Sequence, residues 1–357
     1  MKIKSTIFLS LFSIATLQSF GQAPKYSNEF LSIGVGARAM GMSGAVAAST
    51  SDATSAFWNP AGLTQITTDL QIAAMHAELF AGISKFDYAT VTTHIDDSRI
   101  MGFSILRFGT DDIPNTLDLI DASGNVDYSK VTSFASADYA FMFSYAKKTS
   151  VPGLNIGGSA KVIHRKAGDF AKAWGFGFDL GAQYKMDKWL LGVQAKDVTS
   201  TFNSWSYNTD LFSSQFALTG NEIPKNSTEI TLPKLIFGAG REFAFSSKIS
   251  CLVELDADMT FDGQRNVLIG SDPVSIDPHL GFELGYNHFV FLRGGVQNIQ
   301  KVKNYDGSST TVMQPNLGLG IVLGKLSIDW AMANISQTQS ILASNIFSLK
   351  LDISKHK

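Results

Sequence analysis

Four polar residues in one short stretch are the best candidates for a cation site: Asp256, Asp258, Thr260 and Asp262. Oxygen ligands at such spacing are typical of a calcium loop, which also needs a central glycine and a terminal glutamate. Phe261 stands at the glycine position and Val267 at the glutamate position. We therefore predict no metal site, with a surface calcium site at this loop as the alternative.

The sequence lacks the residue spacings that catalytic sites require. The six histidines show no pair at ligand spacing, and no serine lies in a Gly-x-Ser-x-Gly turn. Gly34-Val35-Gly36-Ala37-Arg38-Ala39 matches a loose dinucleotide fingerprint, but no strand-helix-strand pattern surrounds it. We predict a protein that is not an enzyme and uses no cofactor.

The other charged residues of interest occupy alternate positions of apolar segments, so those of one segment share a face. This predicted polar lumen face comprises Lys161, Arg165, Asp179, Lys185, Glu254, Asp256, Asp258 and Asp329. Opposite charges on neighbouring strands can pair, and such pairs would brace the interior of a barrel. The alternative is a ligand route, although the alternation shows no continuous apolar groove for a fatty acid.

The segments that carry these residues alternate between apolar and polar or small residues. In the stretch 174–185 every even position is apolar or aromatic, and every odd position is glycine or polar. Successive side chains of a strand point to opposite faces. Fourteen such segments predict strands near 69–80, 84–95, 98–109, 136–149, 153–166, 170–186, 188–199, 229–243, 247–260, 275–286, 288–298, 310–323, 325–336 and 343–354. We predict an all-β fold, a transmembrane antiparallel β-barrel of about 14 strands.

The lengths of the connections support this prediction. The even-numbered connections are short, whereas the long ones, near 110–135, 200–228, 261–274 and 299–309, are all odd-numbered. Bacterial outer-membrane barrels have short periplasmic turns and longer outer loops. Aromatic residues beside both ends predict two interfacial girdles, with Phe80, Phe86 and Trp174 toward the loop side. An exported soluble β-protein is the alternative.

The N-terminus and the composition indicate export. Of the 357 residues 17% are charged, and the formal net charge is −2. Lys2 and Lys4 precede an apolar run, and small residues precede a cut before Gln22, so residues 1–21 are a predicted signal peptide. Without a basic excess, nucleic acid is not an expected partner. We predict a multi-pass protein in the outer membrane of a Gram-negative bacterium, surrounded by outer-membrane lipid.

Residues 22–68 do not alternate and are rich in glycine, alanine and serine. Small residues allow close packing, so we predict an N-terminal plug or hatch segment inside a barrel that is formed by residues 69–357. The alternative is a periplasmic tail without fixed structure, because chain termini are often not tied down.

Two blocks within residues 22–68 carry a family resemblance: the glycine- and alanine-rich run 30–45, and Trp58-Asn59-Pro60-Ala61-Gly62. Together they resemble the N-terminal segment of the PorV/PorQ family of Bacteroidetes outer-membrane proteins, which is related to the FadL-type long-chain fatty-acid channels. The resemblance implies a fourteen-stranded barrel with an N-terminal hatch. The Asn-Pro-Ala signature of that fold is matched by Asn59, Pro60 and Ala61.

The resemblance also implies a function. Named members of the family serve the type IX secretion system, where PorV binds the translocon and the C-terminal signals of cargo. We predict a non-enzymatic accessory protein of type IX secretion that recognises such components or cargo. The alternative is a FadL-like transporter of hydrophobic small molecules, in which Arg38 could pair with a ligand carboxylate. The other interpretation of Arg38 is a structural ion pair with a lumen carboxylate such as Asp256 or Asp329.

Overall fold

The chain forms an antiparallel β-barrel, closed by the pairing of its first and last strands. The structure is a computed structural model, and it describes residues 27–354 except 122, 212, 214–215, 218–219 and 334–342. The predicted signal peptide, residues 1–21, lies outside the described residues. The strands of the described part are β1 (Leu70–Leu79), β2 (Ser84–His94), β3 (Arg99–Asn115), β4 (Thr132–Lys148), β5 (Leu154–Ala167), β6 (Ala171–Met186), β7 (Trp189–Lys196), β8 (Thr201–Tyr207), β9 (Ser227–Thr231), β10 (Lys234–Ala244), β11 (Ile249–Thr260), β12 (Ser275–Tyr286), β13 (Val290–Lys303), β14 (Ser309–Leu323), β15 (Leu326–Ala333) and β16 (Ser344–Ile353).

The sixteen strand segments make fourteen strands of the wall, because two wall strands are bent. β7 continues into β8 after a bend at 197–200, and β9 continues into β10 after Leu232 and Pro233. β6 pairs with β7 through 180–186 and with β8 through 171–176. Asp197 and Ser200 both have a φ of 55°, and Pro233 has no N–H to donate, so the ladder is interrupted at these bends. The predicted barrel of about 14 strands is confirmed.

The two ends of the barrel differ in their connections. At one end, here called the turn end, β2–β3, β4–β5, β6–β7, β10–β11, β12–β13 and β14–β15 are joined by short turns. At the other, the loop end, lie the long connections that follow β3, β8, β11 and β13. The predicted sorting of short and long connections is thus present in the fold.

Several predicted strand ends were wrong. The predicted loop 110–135 is shorter, because β3 runs to Asn115 and β4 begins at Thr132. The predicted loop 200–228 contains β8. These strand ends carry polar residues on both faces, and the register of β3 shifts between Thr110 and Ile113. The alternation that identifies a strand is lost at such places.

Side chains alternate between the lumen and the outer surface along the strands. On β14, Leu317, Leu319, Ile321 and Leu323 are 41–51% exposed, whereas Gly318 and Gly320 between them are buried. This continuous apolar exterior is what a lipid-facing barrel presents.

Phe86 was wrongly predicted for an aromatic girdle. It is only 1% exposed, because the even positions of β2 face inward, and its ring packs against Phe108.

Residues 27–66, here called the inner segment, lie within the ring of strands. They form the 3-10 helices Glu29–Ser32 and Pro60–Gln65 and the short α-helices Ala37–Gly41 and Ser55–Trp58. Apolar side chains of the inner segment, such as Phe30, Met40 and Phe57, join one buried cluster with inward residues of the wall. Residues 27–66 therefore lie in the lumen, while the action of the predicted segment 22–68 as a plug or hatch stays a prediction. Within the described part of the chain, no helix is long and apolar enough to span a bilayer.

Candidate functional site in the lumen

The Trp58-Asn59-Pro60-Ala61-Gly62 motif anchors the inner segment to the wall. Asn59 Nδ2 donates to the carbonyls of Ala47 at 2.8 Å and Ala182 at 3.1 Å, while Asn59 Oδ1 accepts from Ala61 N at 3.2 Å. Trp58 Nε1 donates to the carbonyl of Val35 at 2.7 Å. Asparagine suits this position because its side chain donates to the backbone of both the inner segment and β6 and also caps the helix that Pro60 begins.

The wall meets the inner segment through inward glycines on seven strands. These glycines, here called the glycine track, are Gly157, Gly181, Gly192, Gly238, Gly281, Gly295 and Gly318. A Cβ atom on Gly157 would lie 2.6 Å from the carbonyl carbon of Pro60, and one on Gly281 would lie 2.6 Å from the carbonyl oxygen of Met42. Only glycine permits this backbone approach. The small inward residues of the strands thus match the path of the inner segment.

Two predicted lumen carboxylates hold a tight bend of the inner segment. Asp256 Oδ2 accepts hydrogen bonds from the backbone N–H groups of Val46 and Ala47, both at 2.9 Å. Glu254 Oε1 accepts from the N–H of Ala48 at 2.6 Å. Consecutive N–H groups that point the same way attract negative charge. These carboxylates therefore fix the bend to β11, and this use of Asp256 differs from the cation site considered for it.

A second contact between wall and inner segment is a network of four charges. Arg38 donates to Glu283 on β12, and Arg293 on β13 donates to both Glu283 and Asp329, each at 2.6 Å. Although burial alone would lower the pKa of Arg38, the carboxylate of Glu283 raises that pKa above its ordinary value. Arg38 thus pairs with a lumen carboxylate, but with Glu283 and not with the predicted examples Asp256 and Asp329. Asp256 accepts hydrogen bonds from the N–H groups of the bend, and Asp329 accepts one from Arg293.

Asp52 ties the inner segment to the last strand. Its Oδ2 lies 3.4 Å from Lys350 Nζ on β16, and its Oδ1 accepts from the N–H and hydroxyl of Thr54 at 2.9 and 2.6 Å. Burial by itself would raise the pKa of this carboxyl group, but Lys350, Thr54 and Arg38 together lower the pKa to about 2. The carboxylate is thus ionised throughout the physiological range.

The remaining predicted lumen charges pair across the wall. Lys161 Nζ lies 2.8 Å from Asp179 and 2.6 Å from Asp197, and all three are nearly inaccessible to solvent. Arg165 binds Asp138 at 2.9 Å and Glu229 at 3.2 Å. Lys234 binds Asp258 at 2.7 Å. Lys185 differs from the others, because its pair with Glu242 at 3.0 Å is half exposed.

Lys196 shows another way of holding a lumen cation. Within the described residues no carboxylate oxygen lies within 4.0 Å of its ammonium group. The ammonium nitrogen instead lies 4.2 Å from the centre of the Phe57 ring and 5.6 Å from that of Trp58. Attraction to the faces of aromatic rings stabilises such a cation.

Cavities of contrasting polarity open at the loop end. An apolar cleft of about 910 Å³ lies between the connections that follow β3, β5 and β8. Its apolar lining includes Leu117, Leu119, Ile120, Phe134, Phe170 and Phe216. A polar cavity of about 560 Å³ lies between the inner segment and the loop-end parts of β10–β14. The lumen therefore offers both an apolar surface and a polar one to a small molecule.

The sequence prediction missed several residues of this arrangement. Glu283 and Arg293 were not named, although each is a lone charge at an inward position between apolar neighbours on β12 and β13. That pattern could have identified them. Lys196 and Asp197 lie where β7 bends, and no periodic signal marks them as partners of the inner segment or of Lys161.

The fold is shared with known channels. Neither a protein family model nor a curated protein sequence matches the chain. The structure is similar to the CymD monoaromatic hydrocarbon channel, with a TM-score of 0.56 and 14% identity over 91% of this chain and 99% of that one. It is similar to the Ralstonia pickettii toluene transporter TbuX, with a TM-score of 0.54 and 13% identity over 90% and 98% of the two chains. A Pseudomonas aeruginosa FadL homologue gives a TM-score of 0.51 and 11% identity, again over 90% and 98%. The predicted relation to FadL-type barrels thus holds for the fold, and none of these structures is a component of type IX secretion.

Proposed function

We propose that the chain is a multi-pass outer-membrane channel for small hydrophobic molecules. The observation that carries the proposal is the apolar cleft at the loop end of a barrel whose fold is shared with hydrocarbon channels. A cleft of about 910 Å³ falls in the size range of small-ligand sites, roughly 300–1,000 Å³. Each 100 Å² of apolar ligand surface buried there would contribute about 2.5 kcal/mol.

The cleft has the composition of a first binding site for such molecules. The rings of Phe134 and Phe170 pack edge to face, 5.1 Å apart, on one side of it. Leu119 and Phe216 come from different loops and contribute apolar surface beside them. Loops that carry apolar residues at the mouth of a rigid scaffold are suited to capture ligands. In the proposed orientation the loop end faces the cell exterior, as in other barrels of this kind.

The main prediction from the resemblance, an accessory role in type IX secretion, becomes the second candidate. The fold comparisons favour the transport alternative, and they offer no support for secretion components as partners. The two functions make opposite demands on the loop end. Transport needs the apolar cleft, whereas protein recognition needs an accessible loop surface.

Uptake measurements test the proposal. The chain would be expressed in a bacterial host that lacks its own hydrocarbon channel, and uptake of radiolabelled toluene and oleate would be followed. Expression should raise the initial uptake rate of at least one probe. Leu119→Asp should lower that rate roughly tenfold, because an ionised carboxylate in an apolar cleft is costly. Tyr128→Asp is the matched control, since Tyr128 lies in the same loop but is 78% exposed and outside the cleft.

A correctly folded barrel that raises uptake of neither probe would refute transport of these hydrophobic molecules. If deletion of the gene in its native host then also impaired secretion of proteins with type IX signals, the accessory function would take its place.

A further inference from the structure

The polar cavity at the loop end has an unusual lining for a hydrocarbon channel. Five carboxamide side chains face it: Asn266, Gln297, Asn298, Gln300 and Gln314. Ile33, Met40 and Val267 are the apolar members of the described lining, and no aromatic ring is among them. A bare hydrocarbon would strip water from these amides without replacing their hydrogen bonds, which is unfavourable. The cavity is therefore suited to a ligand part with hydrogen-bonding groups.

Two atoms at this cavity lack hydrogen-bond partners within the described structure. Gln314 is 7% exposed, and its Nε2 group has no acceptor, although its Oε1 atom accepts from Asn298 at 3.5 Å. Asp277 Oδ1, at the start of β12, has no donor. Both atoms are closed to solvent, and buried polar atoms without partners are costly. A ligand therefore gains affinity if these two side chains turn toward it and form the missing hydrogen bonds. Gln314 Nε2 needs an acceptor, and Asp277 Oδ1 needs a donor.

The charges around the cavity select among ligand classes. Lys234 is neutralised by Asp258 at 2.7 Å, and Arg265 Nε lies 2.9 Å from Asp262. His279 Nδ1 donates to the carbonyl oxygen of Ser43 at 2.8 Å, and its Nε2 lies 3.9 Å from a carboxylate oxygen of both Asp258 and Asp277. The cations thus have acidic partners, and Asp277 adds negative charge. An anionic ligand would be repelled by Asp277, and a cationic one would leave Gln314 Nε2 without an acceptor.

A hydroxyl group meets both requirements, because it donates one hydrogen bond and accepts others. We propose that this cavity binds the neutral, hydroxyl-rich head of an amphipathic molecule, such as a sugar or glycerol head group. The inference rests on the proposed transport function, since a channel ligand with an apolar chain and a polar head would bring that head into the lumen. The cavity volume, about 560 Å³, accommodates a head group of this kind.

Binding measurements test the head-group assignment. The full barrel would be placed in lipid nanodiscs and titrated with octyl glucoside below its micelle concentration, with empty nanodiscs as the blank. We expect saturable binding that is at least tenfold tighter than for 1-octanol, which has the same chain and a single hydroxyl. Gln314→Leu and Asp277→Asn should each weaken octyl glucoside binding about tenfold and leave 1-octanol binding unchanged.

Controls separate this result from a folding defect. Gln264→Leu is the matched control, because Gln264 is exposed, lies near the same cavity and does not line it. Each variant must show the same heat-dependent gel migration as the wild type. Asp277→Asn keeps the size of the side chain and lies on a different strand from Gln314, so it tests the cavity even if Gln314→Leu fails to fold.

Three outcomes would overturn the proposal. The first is equal binding of octyl glucoside and 1-octanol, and the second is a lack of effect of both cavity variants. The third is that free glucose binds as tightly as octyl glucoside, which would assign the cavity to a soluble sugar instead of an amphiphile. Failure of toluene and oleate uptake in cells would count against the proposed function alone, because head-group binding is measured without transport.

Discussion

Arg38 of the inner segment donates two hydrogen bonds to Glu283 of β12, from Nε to Oε2 at 2.8 Å and from Nη2 to Oε1 at 3.1 Å. The two residues are 245 positions apart in the sequence. Glu283 also accepts from Arg293, so one carboxylate holds two guanidinium groups. This contact binds the inner segment to the wall on the side of β12 and β13.

The first prediction concerns this network. Glu283→Gln should destabilise the barrel by about 3–5 kcal/mol, because it leaves two buried guanidinium groups without that carboxylate. Arg38→Met should cost less, since Glu283 then keeps Arg293. Heat-induced unfolding of the purified barrel, followed by gel migration, would give this order. Glu242→Gln is the control, because its pair with Lys185 is half exposed and should contribute less than about 1 kcal/mol. Equal effects of Glu283→Gln and Glu242→Gln would contradict the prediction.

The second prediction concerns Gly62 of the anchoring motif. A Cβ atom there would clash with the carbonyl oxygen of Thr50 and would lie 2.8 Å from Ser55 Oγ. Gly62→Ala should therefore displace the inner segment and cost about 1–3 kcal/mol. Gly240→Ala is the matched control, since the closest atom to its Cβ would be 3.4 Å away. Limited proteolysis should cut the inner segment faster in Gly62→Ala only, and equal cleavage of both variants would refute the steric argument.

The third prediction follows from Asp52. Its folded-state pKa is lowered from 3.8 to about 2, so the stabilisation is complete above pH 3.8 and is lost as the pH falls through about 2. The shift corresponds to about 2 kcal/mol. At pH 5, Asp52→Asn should unfold at lower temperature than the wild type, and at pH 2 the two should unfold together. A difference that persists unchanged from pH 5 to pH 2 would show that the ionised carboxylate is not its source.

The fourth prediction concerns the closed barrel itself. Because β1 pairs with β16, the ring has no free edge from which strands can separate. The protein should fractionate with outer membranes, and it should migrate differently on SDS gels before and after boiling. Recovery in the soluble periplasm without heat-dependent migration would contradict both the barrel and its location.

The fifth prediction concerns orientation. After Cys251→Ser, single cysteines at Ser123 or Asn208 on the loop end should react with an impermeant reagent on intact cells. Cysteines at Ser150 or Asn287 on the turn end should react only after the outer membrane is opened. All four sites are exposed, so accessibility within the fold does not bias the result. Labelling in the reverse sense would place the long loops in the periplasm.

The wall was the predictable part of this structure, because alternation is a local property. Leu317, Leu319 and Ile321 identify β14 from the sequence alone, and their exposure follows from the strand period. The bend at 197–200 was not predictable in this way. It depends on Asp197, whose partner Lys161 lies on β5. Such a long-range contact leaves no periodic mark in the sequence.

The lumen contacts were predictable only by residue type. The sequence indicates that Asp256 and Asp329 face inward, but several bonding partners are available to each. The partner that each carboxylate binds depends on where the inner segment bends. At this bend the N–H groups of Val46 and Ala47 donate to Asp256. Arg38 then reaches Glu283. Partner choice within the barrel is therefore a property of the packed chain.

The glycine track has an electrical consequence. Along six strands the backbone of the wall lies against the backbone of the inner segment, and at Gly181 on β6 it lies against the Asn59 side chain. The opposite side of the ring is filled by the cluster of Phe30, Met40 and Phe57 with the wall. Hydrated ions need a water-filled path, and close packing of the inner segment on both sides works against one. In a voltage-clamped bilayer the resting protein should therefore pass almost no current. A cell could carry many copies of such a barrel without ion leakage across its outer membrane.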